Sequence, residues 1–511
     1  MRSLVSSVAA ATVLALAAQP ADAFCGFYVS GTGGKMFNDA TEVVLMRDGT
    51  RTVLSMQNDY KGPLDDFAMV VPVPVVLHEG DVKTLSRTVF DHVDSLGSPR
   101  LVEYWEQDPC PEPRPEKMER GMAPSASFGA GGAAYDSAPP KAPTVKIEAK
   151  FDVAEYQILI LSATEAAGLE DWLHQNHYTI PDGAEPLLRP YVEAGSKFFV
   201  AKVDPKKVHM EDGHAALSPL RFHYDSEDFS LPIRLGMANS SGTQDLVVNV
   251  LSPSKRYELA NYKNAMIPTN FDVKDSVRTH FAAFYTALFD KTVEANPGAV
   301  ITEYAWTART GYHCDPCPEL DVNQQDLMSL GGAIVGGQIA QGTFVMTRLH
   351  ARYGKKDMKD DLRFREAKPV TGGREQWTKQ GIEYGAVPSE ENYFQARYAI
   401  RHWWTGKIAC KNPQRGVWGG PPDGRDTSVI AASKVAFAPR GKVSVPDVIG
   451  RDLWEIGLKK TRPAPPAPKG PMLEKPDPTH PKTPKGSLGF GAGFLGVLML
   501  LGAGSLLRRK R

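Results

Sequence analysis

Cysteine is scarce in this chain, five residues in 511, which excludes a small scaffold held together mainly by disulfides. Net charge is zero, with 59 Lys and Arg against 59 Asp and Glu, so only the distribution of charge can point to partners. The familiar catalytic signatures are missing as well. No Gly-x-Ser-x-Gly segment supplies a nucleophile elbow, and no His-Glu-x-x-His supplies a zinc-bound base. Gly31-Thr-Gly-Gly-Lys35 fails as a phosphate loop, because Met36 stands where a Ser or Thr should hold magnesium. No residue is therefore assigned a catalytic role, no metal site is assigned, and no cofactor is expected. With 42% hydrophobic and 23% charged residues, the remainder reads as an ordinary globular chain with ample length to bury a core.

At the start, Arg2 precedes an apolar stretch, residues 8–18, and then Ala21-Asp22-Ala23, the charged, apolar, small-x-small order of a secretory leader. Cleavage after Ala23 leaves Phe24-Cys25, and Phe24 blocks lipidation of Cys25, which needs a small residue before it. At the other end twenty uncharged residues, 488–507, run into Arg508-Arg509-Lys510-Arg511. At 1.5 Å per helical residue such a run matches about 30 Å of hydrocarbon, and the four cations should stay cytoplasmic. The expectation is a body exported across the cytoplasmic membrane, to the periplasm or cell surface, and tethered by a C-terminal single-pass helix. Residues 24–460 hold 49 Lys and Arg against 56 Asp and Glu. A net acidic body outside the cytoplasm argues against nucleic acid as a partner.

Strand and helix signals are mixed along the body without regular βαβ alternation. Residues 41–47 and 50–57 are β-prone runs around Asp48-Gly49, which predicts a hairpin. Residues 67–77 read as an extended edge strand, since Pro72 and Pro74 lack donors on the same side. A helix is expected over 83–96, where Leu85, Val89, Val93 and Leu96 recur at helical spacing. Further strands are expected at 156–161, 197–203, 245–251, 300–307, 343–351 and 392–400, and helices at 164–175, 185–194 and 275–290. The fold class is α+β, with mixed, mostly antiparallel sheets, packed helices and a C-terminal transmembrane helix. The expected organisation is a signal peptide at 1–23, a hairpin and helix region at 24–110, and a Pro/Gly/Ala/Ser-rich linker at 111–146. A central α+β region follows at 147–300 and another, carrying the Cys-x-x-Cys, at 301–460. A Pro-rich spacer at 461–485, the span at 486–507 and a basic tail at 508–511 complete it.

One constellation is able to carry chemistry. His313-Cys314-Asp315-Pro316-Cys317 has the spacing of a thiol–disulfide exchange pair. Asp315 opposes a thiolate, and no thioredoxin-like pattern surrounds it. In an oxidising compartment a structural bridge is the plainer reading; a metal site would need ligands from far away, such as Cys410 or His402. Cys25, Cys110 and Cys410 are the other disulfide candidates, and the segment 108–112 repeats letter for letter at 315–319. His174 and His177 lie about a helical turn apart but read as solvated surface. Residues 348–368 are locally basic with interspersed acids, which reads as a self-paired solvated face. Trp403-Trp404 beside Arg401 and His402, with Trp418 nearby, offers a sugar-stacking platform or a packed corner.

The runs FCGFYVSG, TEVVLMRDGTRTVLSMQNDYKG, DFAMVVPVP, YHCDPCP and TRLHARYGKKDMKDDLRFREA together resemble the bacterial envelope family catalogued as domain of unknown function 2330. The resemblance spans most of the body, roughly from Phe24 to the Pro-rich spacer. It implies a signal peptide and a C-terminal anchor, and brings no activity, fold or site residues. The functional expectation is a membrane-anchored envelope protein with a non-enzymatic structural or binding ectodomain. Its partners would be the membrane, through the C-terminal helix, and cell-envelope glycan or protein. The alternative is an extracytoplasmic thiol–disulfide redox protein using Cys314 and Cys317.

Overall fold

The hairpin around Asp48-Gly49 forms as expected, with Phe37–Asp48 antiparallel to Arg51–Lys61 and Gly49 at φ +52°. That left-handed angle costs glycine little because it has no Cβ. The computed structural model describes residues 27–30, 37–61, 67–110, 145–180, 183–211, 214–238, 243–310, 321–354, 358–378, 381–424, 429–432, 434 and 443–462. Within these the hairpin lies in the middle of an 11-stranded sheet, in which Ala299–Arg309, Thr343–Tyr353, Gln244–Ser252, Phe37–Asp48, Arg51–Lys61 and Leu220–Asp225 are successive neighbours. Most pairings are antiparallel; Gln244–Ser252 on Phe37–Asp48 is parallel.

A second, five-stranded sheet runs Phe27–Ser30, Phe67–Val73, Lys197–Val203, Tyr156–Ala163, Val145–Val153. Alternation along the strands explains why the two sheets stack. Val43, Leu45, Val248, Val250 and Leu349 from the large sheet meet Met69, Val71, Ile158, Ile160 and Phe199 from the small one in a single apolar core. Phe67–Val73 is not the edge strand its prolines suggest, since it pairs on both sides. Phe27–Ser30 reaches only as far as Val70, however, so Pro72 faces a partner on one side alone, Phe198 of Lys197–Val203. A missing donor is tolerated there.

Helices close the outer faces. Ala166–Gln175 and Glu185–Glu193 cover the small sheet with Leu169, Leu173 and Leu188. Arg87–Gly97 covers the large sheet with Val89, Phe90, Val93 and Leu96, its N-terminus capped by Ser86 Oγ accepting from the Thr88 N–H. A third sheet places Arg397–His402 parallel to Arg100–Glu106, whose other side pairs with Trp418–Gly419 and Ile430–Ala431. The helix Phe281–Ala295 packs on it through Phe281, Phe284 and Leu288.

The mixed α+β class stands, but its transmembrane helix has to be corrected. Among the described residues no helix is long and apolar enough to cross a membrane. The longest, Phe281–Ala295, has 15 residues, or roughly 22 Å at 1.5 Å per residue against about 30 Å of hydrocarbon. It buries its apolar face against a sheet. Residues 488–507 lie outside the described residues, as do the leader and most of the linker; a strand begins at Val145.

The segment read as a solvated basic face is one only in its second half, where Lys359, Asp360, Arg363, Arg365, Glu366 and Lys368 are exposed; its first half is not. In Thr343–Tyr353, Leu349, Ala351 and Tyr353 point into the sandwich, so the alternate residues Arg348 and His350 point under the helices, 1% and 2% exposed. Arg348 donates from Nη1 to Asp94 Oδ1 at 2.7 Å and from Nε to Glu303 Oε2 at 2.9 Å. His350 Nδ1 lies 2.8 Å from Glu303 Oε1. Burial alone would raise the Glu303 pKa, but His350 and Arg348 outweigh it and hold the carboxyl at about 2. Loss of solvation, with Asp94 nearby, pushes the Glu42 carboxyl well above the ordinary carboxylate range. Burial likewise pushes the His350 imidazole down, against the pull of Glu303.

Removing one member of such a cluster leaves its partners charged, buried and unmatched. Arg348→Met should therefore cost about 3–5 kcal/mol of folding stability. Urea unfolding of the variant beside the wild type reads this directly; a loss below about 1 kcal/mol would mean that the pair acts like a surface bridge.

Candidate functional site

The strand Arg100–Glu106 carries the richest surface constellation among the described residues. Its pairing sets which side chains meet. Parallel to it, Arg397–His402 puts Arg401 opposite Tyr104 and His402 opposite Trp105; antiparallel to it, Trp418 stands opposite Glu106. Two segments remote in sequence from the strand thus meet on it, one along each side.

Glu106, 1% exposed, fastens the loop between the two partners. Its carboxylate accepts from the backbone N–H of Trp404 at 3.0 Å and of Gly416 at 2.8 Å, and from Arg415 Nε and Nη2, each at 2.7 Å. The Arg415 hydrogen bonds, with help from the two backbone N–H groups, hold its pKa at about 2. Beyond the strand, Cys110 is bonded to Cys410, with sulfurs 2.12 Å apart and 300 residues between them. Gln414 N–H donates to Pro109 O at 2.8 Å. The loop 403–417 is consequently tied at both ends and near its middle.

Arginines and aromatics line the space beside this loop. Arg397, wholly buried, donates to Tyr104 Oη, to Glu375 and, at 2.8 Å, to Asn270 Oδ1. Arg401 lies over the rings of Tyr104 and Trp418, 5.1 and 4.7 Å from their centroids, and reaches Glu375 and Asp272. Trp105 and His402 stack at 4.5 Å. A cavity of about 550 Å³ opens here, lined by Glu103, Tyr104, Glu375, Trp418 and the glycines 416, 419 and 420. Trp403, 59% exposed, stands edge-to-face with Trp418 at 4.9 Å and 75°.

Glu103, Asp275 and His402 bring three ligand-type atoms within 4.8 Å of one another. The centre of that group is held by a guanidinium. Arg278 makes a two-pronged bond to Glu103, contacts Asp275 at 2.8 Å, and lies 3.3 Å from His402 Nε2. Burial would raise the Glu103 pKa, but Arg278 and His402 outweigh it and hold the carboxyl below its usual range. The arrangement suits a structural ion network and leaves a metal ion no uncontested carboxylate.

Of the residues singled out in the sequence, Cys110 and Cys410 are joined, and Arg401, His402, Trp403 and Trp418 gather at one cleft. Cys25, Cys314, Cys317 and His313 lie outside the described residues. His174 is exposed at the end of Ala166–Gln175. Sequence reasoning missed Glu103, Glu106, Arg278 and Glu375. The only signal for the first two was the aromatic pair Tyr104-Trp105 shortly before Cys110.

A carboxyl held at about 2 against an ordinary 4.5 adds stability that is fully present above the ordinary value and lost as pH falls through the lower one. Acidification from about pH 4.5 to about pH 2 should therefore loosen the 403–417 loop. Glu106→Gln should flatten the titration in that window and lower stability at neutral pH, both read by tryptophan fluorescence.

No curated protein and no solved structure matches the chain. One family does, over residues 19–365. That stretch contains the small sheet, the six successive strands of the large sheet named above, the buried Arg348 cluster and the strand Arg100–Glu106, and stops short of Glu375, Arg401, Cys410 and Trp418. By this match, the chain belongs to the family described as "Uncharacterized protein conserved in bacteria (DUF2330)".

Proposed function

We propose that the body is an extracytoplasmic, non-enzymatic ectodomain with a structural or binding role. The observation that carries this reading is the Cys110–Cys410 bond. A bridge of this kind persists where the surroundings are oxidising and is rare in the bacterial cytosol. The leader-like order of residues 1–23 points the same way.

The placement of the ionisable groups supports the non-enzymatic part. Strongly perturbed groups in a cleft would suggest acid–base chemistry. Here Glu303, Arg348, His350 and Glu42 are perturbed by burial and by charged neighbours beneath helices, and Glu303, Arg348 and His350 are at most 2% exposed. In the cleft itself, Glu103 and Glu375 are each engaged by arginines. Groups so committed hold a shape and are poorly placed to exchange protons with a substrate.

The reading is tested by alkylating thiols in intact cells that produce the protein, then mapping peptides under non-reducing conditions. The Cys110 and Cys410 peptides should remain linked and unalkylated. Recovery of both as alkylated thiols would overturn the oxidising location. In purified protein, Cys110→Ser with Cys410→Ser should cost about 2–5 kcal/mol in denaturant unfolding, because a long loop of the unfolded chain is released.

A further inference from the structure

We propose that the cavity lined by Glu103, Tyr104, Glu375 and Trp418, with Trp403 standing against Trp418, is a binding site for a neutral glycan, with a pyranose ring stacked on an indole and its hydroxyls on the carboxylate and guanidinium wall. The inference rests on the binding-ectodomain reading and adds the ligand class to it.

Large apolar side chains stay in contact with water at few described positions, and three of them, Trp403, Ile408 and Val417, at 59%, 39% and 48%, fall in the one short loop that Glu106 and the Cys110–Cys410 bond hold fast. A loop packed only for stability would turn such residues inward. Trp418 lines the cavity and Trp403 meets it edge-to-face at 75°, so Trp403 carries the aromatic surface on beyond the cavity lining. The flat C–H face of a sugar ring fits an indole face, whose quadrupole attracts the slightly positive hydrogens. The volume of about 550 Å³ lies within the range of roughly 300–1,000 Å³ usual for small-ligand sites.

Charge decides which ligand. Glu103 is matched by Arg278 and His402, and Glu375 by Arg397 and Arg401. An anionic ligand would face two carboxylates and a cationic one several guanidiniums, and either would have to displace an existing pair. A hydroxyl does neither. It donates to a carboxylate oxygen while accepting from an N–H, so a polyol can add to the network without breaking it. The other large cavity, about 760 Å³ beside Arg234 and Asp360, differs here: its rings Phe229, Tyr257 and Phe364 are buried and packed on one another, leaving no exposed aromatic face.

The test uses the full chain with cellohexaose, maltohexaose and chitohexaose as neutral probes and polygalacturonate as the anionic control. Tryptophan fluorescence and calorimetry are the readouts. At least one neutral probe should bind and shift the emission, with affinity unchanged by about 0.5 M salt, since no charge pair is made or broken. Trp403→Ala should weaken binding about tenfold or more, and because Trp403 is exposed its removal should leave the melting temperature near wild type. Trp418→Ala, scored only if it melts with the wild type, should weaken binding similarly. The inference fails if no neutral probe binds, if Trp403→Ala binds as tightly as the wild type, or if only polygalacturonate binds. A Trp403-dependent self-association with no sugar effect would overturn it in favour of a second copy of the chain. An intact Cys110–Cys410 bridge in cells with no glycan binding would sink this inference alone; a reduced pair would sink the functional reading itself.

Discussion

Arg348 places a full positive charge under the helices that cover the large sheet, and much of the packing around it answers to that charge. A buried guanidinium must be matched by carboxylates held in place. Glu303 comes from the neighbouring strand and Asp94 from the helix above. The helix is thereby registered on the sheet, and Asp94 also accepts from the backbone N–H of Lys434. The constraint passes along the chain. Ser98 Oγ donates to Asp94 O, and Arg100, wholly buried, donates to Leu96 O and to the side chain of Gln395. These bonds fix how the chain leaves the helix and enters Arg100–Glu106, the strand on which the cleft is built. A polar network deep in the scaffold thus sets the position of a surface site that it never touches.

Glu106 and the Cys110–Cys410 bond act on the cleft by different means. Glu106 fixes the native arrangement locally: one carboxylate collects two backbone N–H groups and an arginine, which a loop of this composition would otherwise leave to water. The disulfide acts on the unfolded chain, where joining points 300 residues apart removes much of the freedom that folding must otherwise overcome. Either device alone would leave the loop 403–417 attached at fewer points, with its exposed apolar side chains freer to collapse onto the surface.

Much of the fold was legible in local pattern, and the site was not. Alternation located the strands Thr343–Tyr353 and Lys197–Val203 closely, and helical spacing located Arg87–Gly97 and Glu185–Glu193. The charged run 348–368 misled at its start, where Arg348 and His350 are buried, because its composition is that of a solvated face. Which side of the strand a helix would cover depends on Asp94 and Glu303, far away in sequence. Cysteine spacing cannot give connectivity, so nothing local could have paired Cys110 with Cys410. The tryptophans were visible as a cluster near residue 403, yet whether they would be buried or exposed was decided by the pairing of Arg397–His402 and Trp418–Gly419 with a strand three hundred residues earlier.

That pairing also bears on what the cleft can do. Trp418 sits on a two-residue strand, and Trp403 directly follows Arg397–His402; both strands are in register with Arg100–Glu106. The backbone that carries the two indoles is therefore held by strand hydrogen bonds and by Glu106. A ligand entering such a site meets surfaces already in place, so little of its binding energy is spent on ordering the loop. Had the same aromatics been carried on an unfastened loop, they would have had to be ordered at each encounter, and affinity would fall by that entropy. The buried ions, the carboxylate hub and the disulfide are thus successive layers of one preorganised surface, on which Trp403 is the most exposed ring.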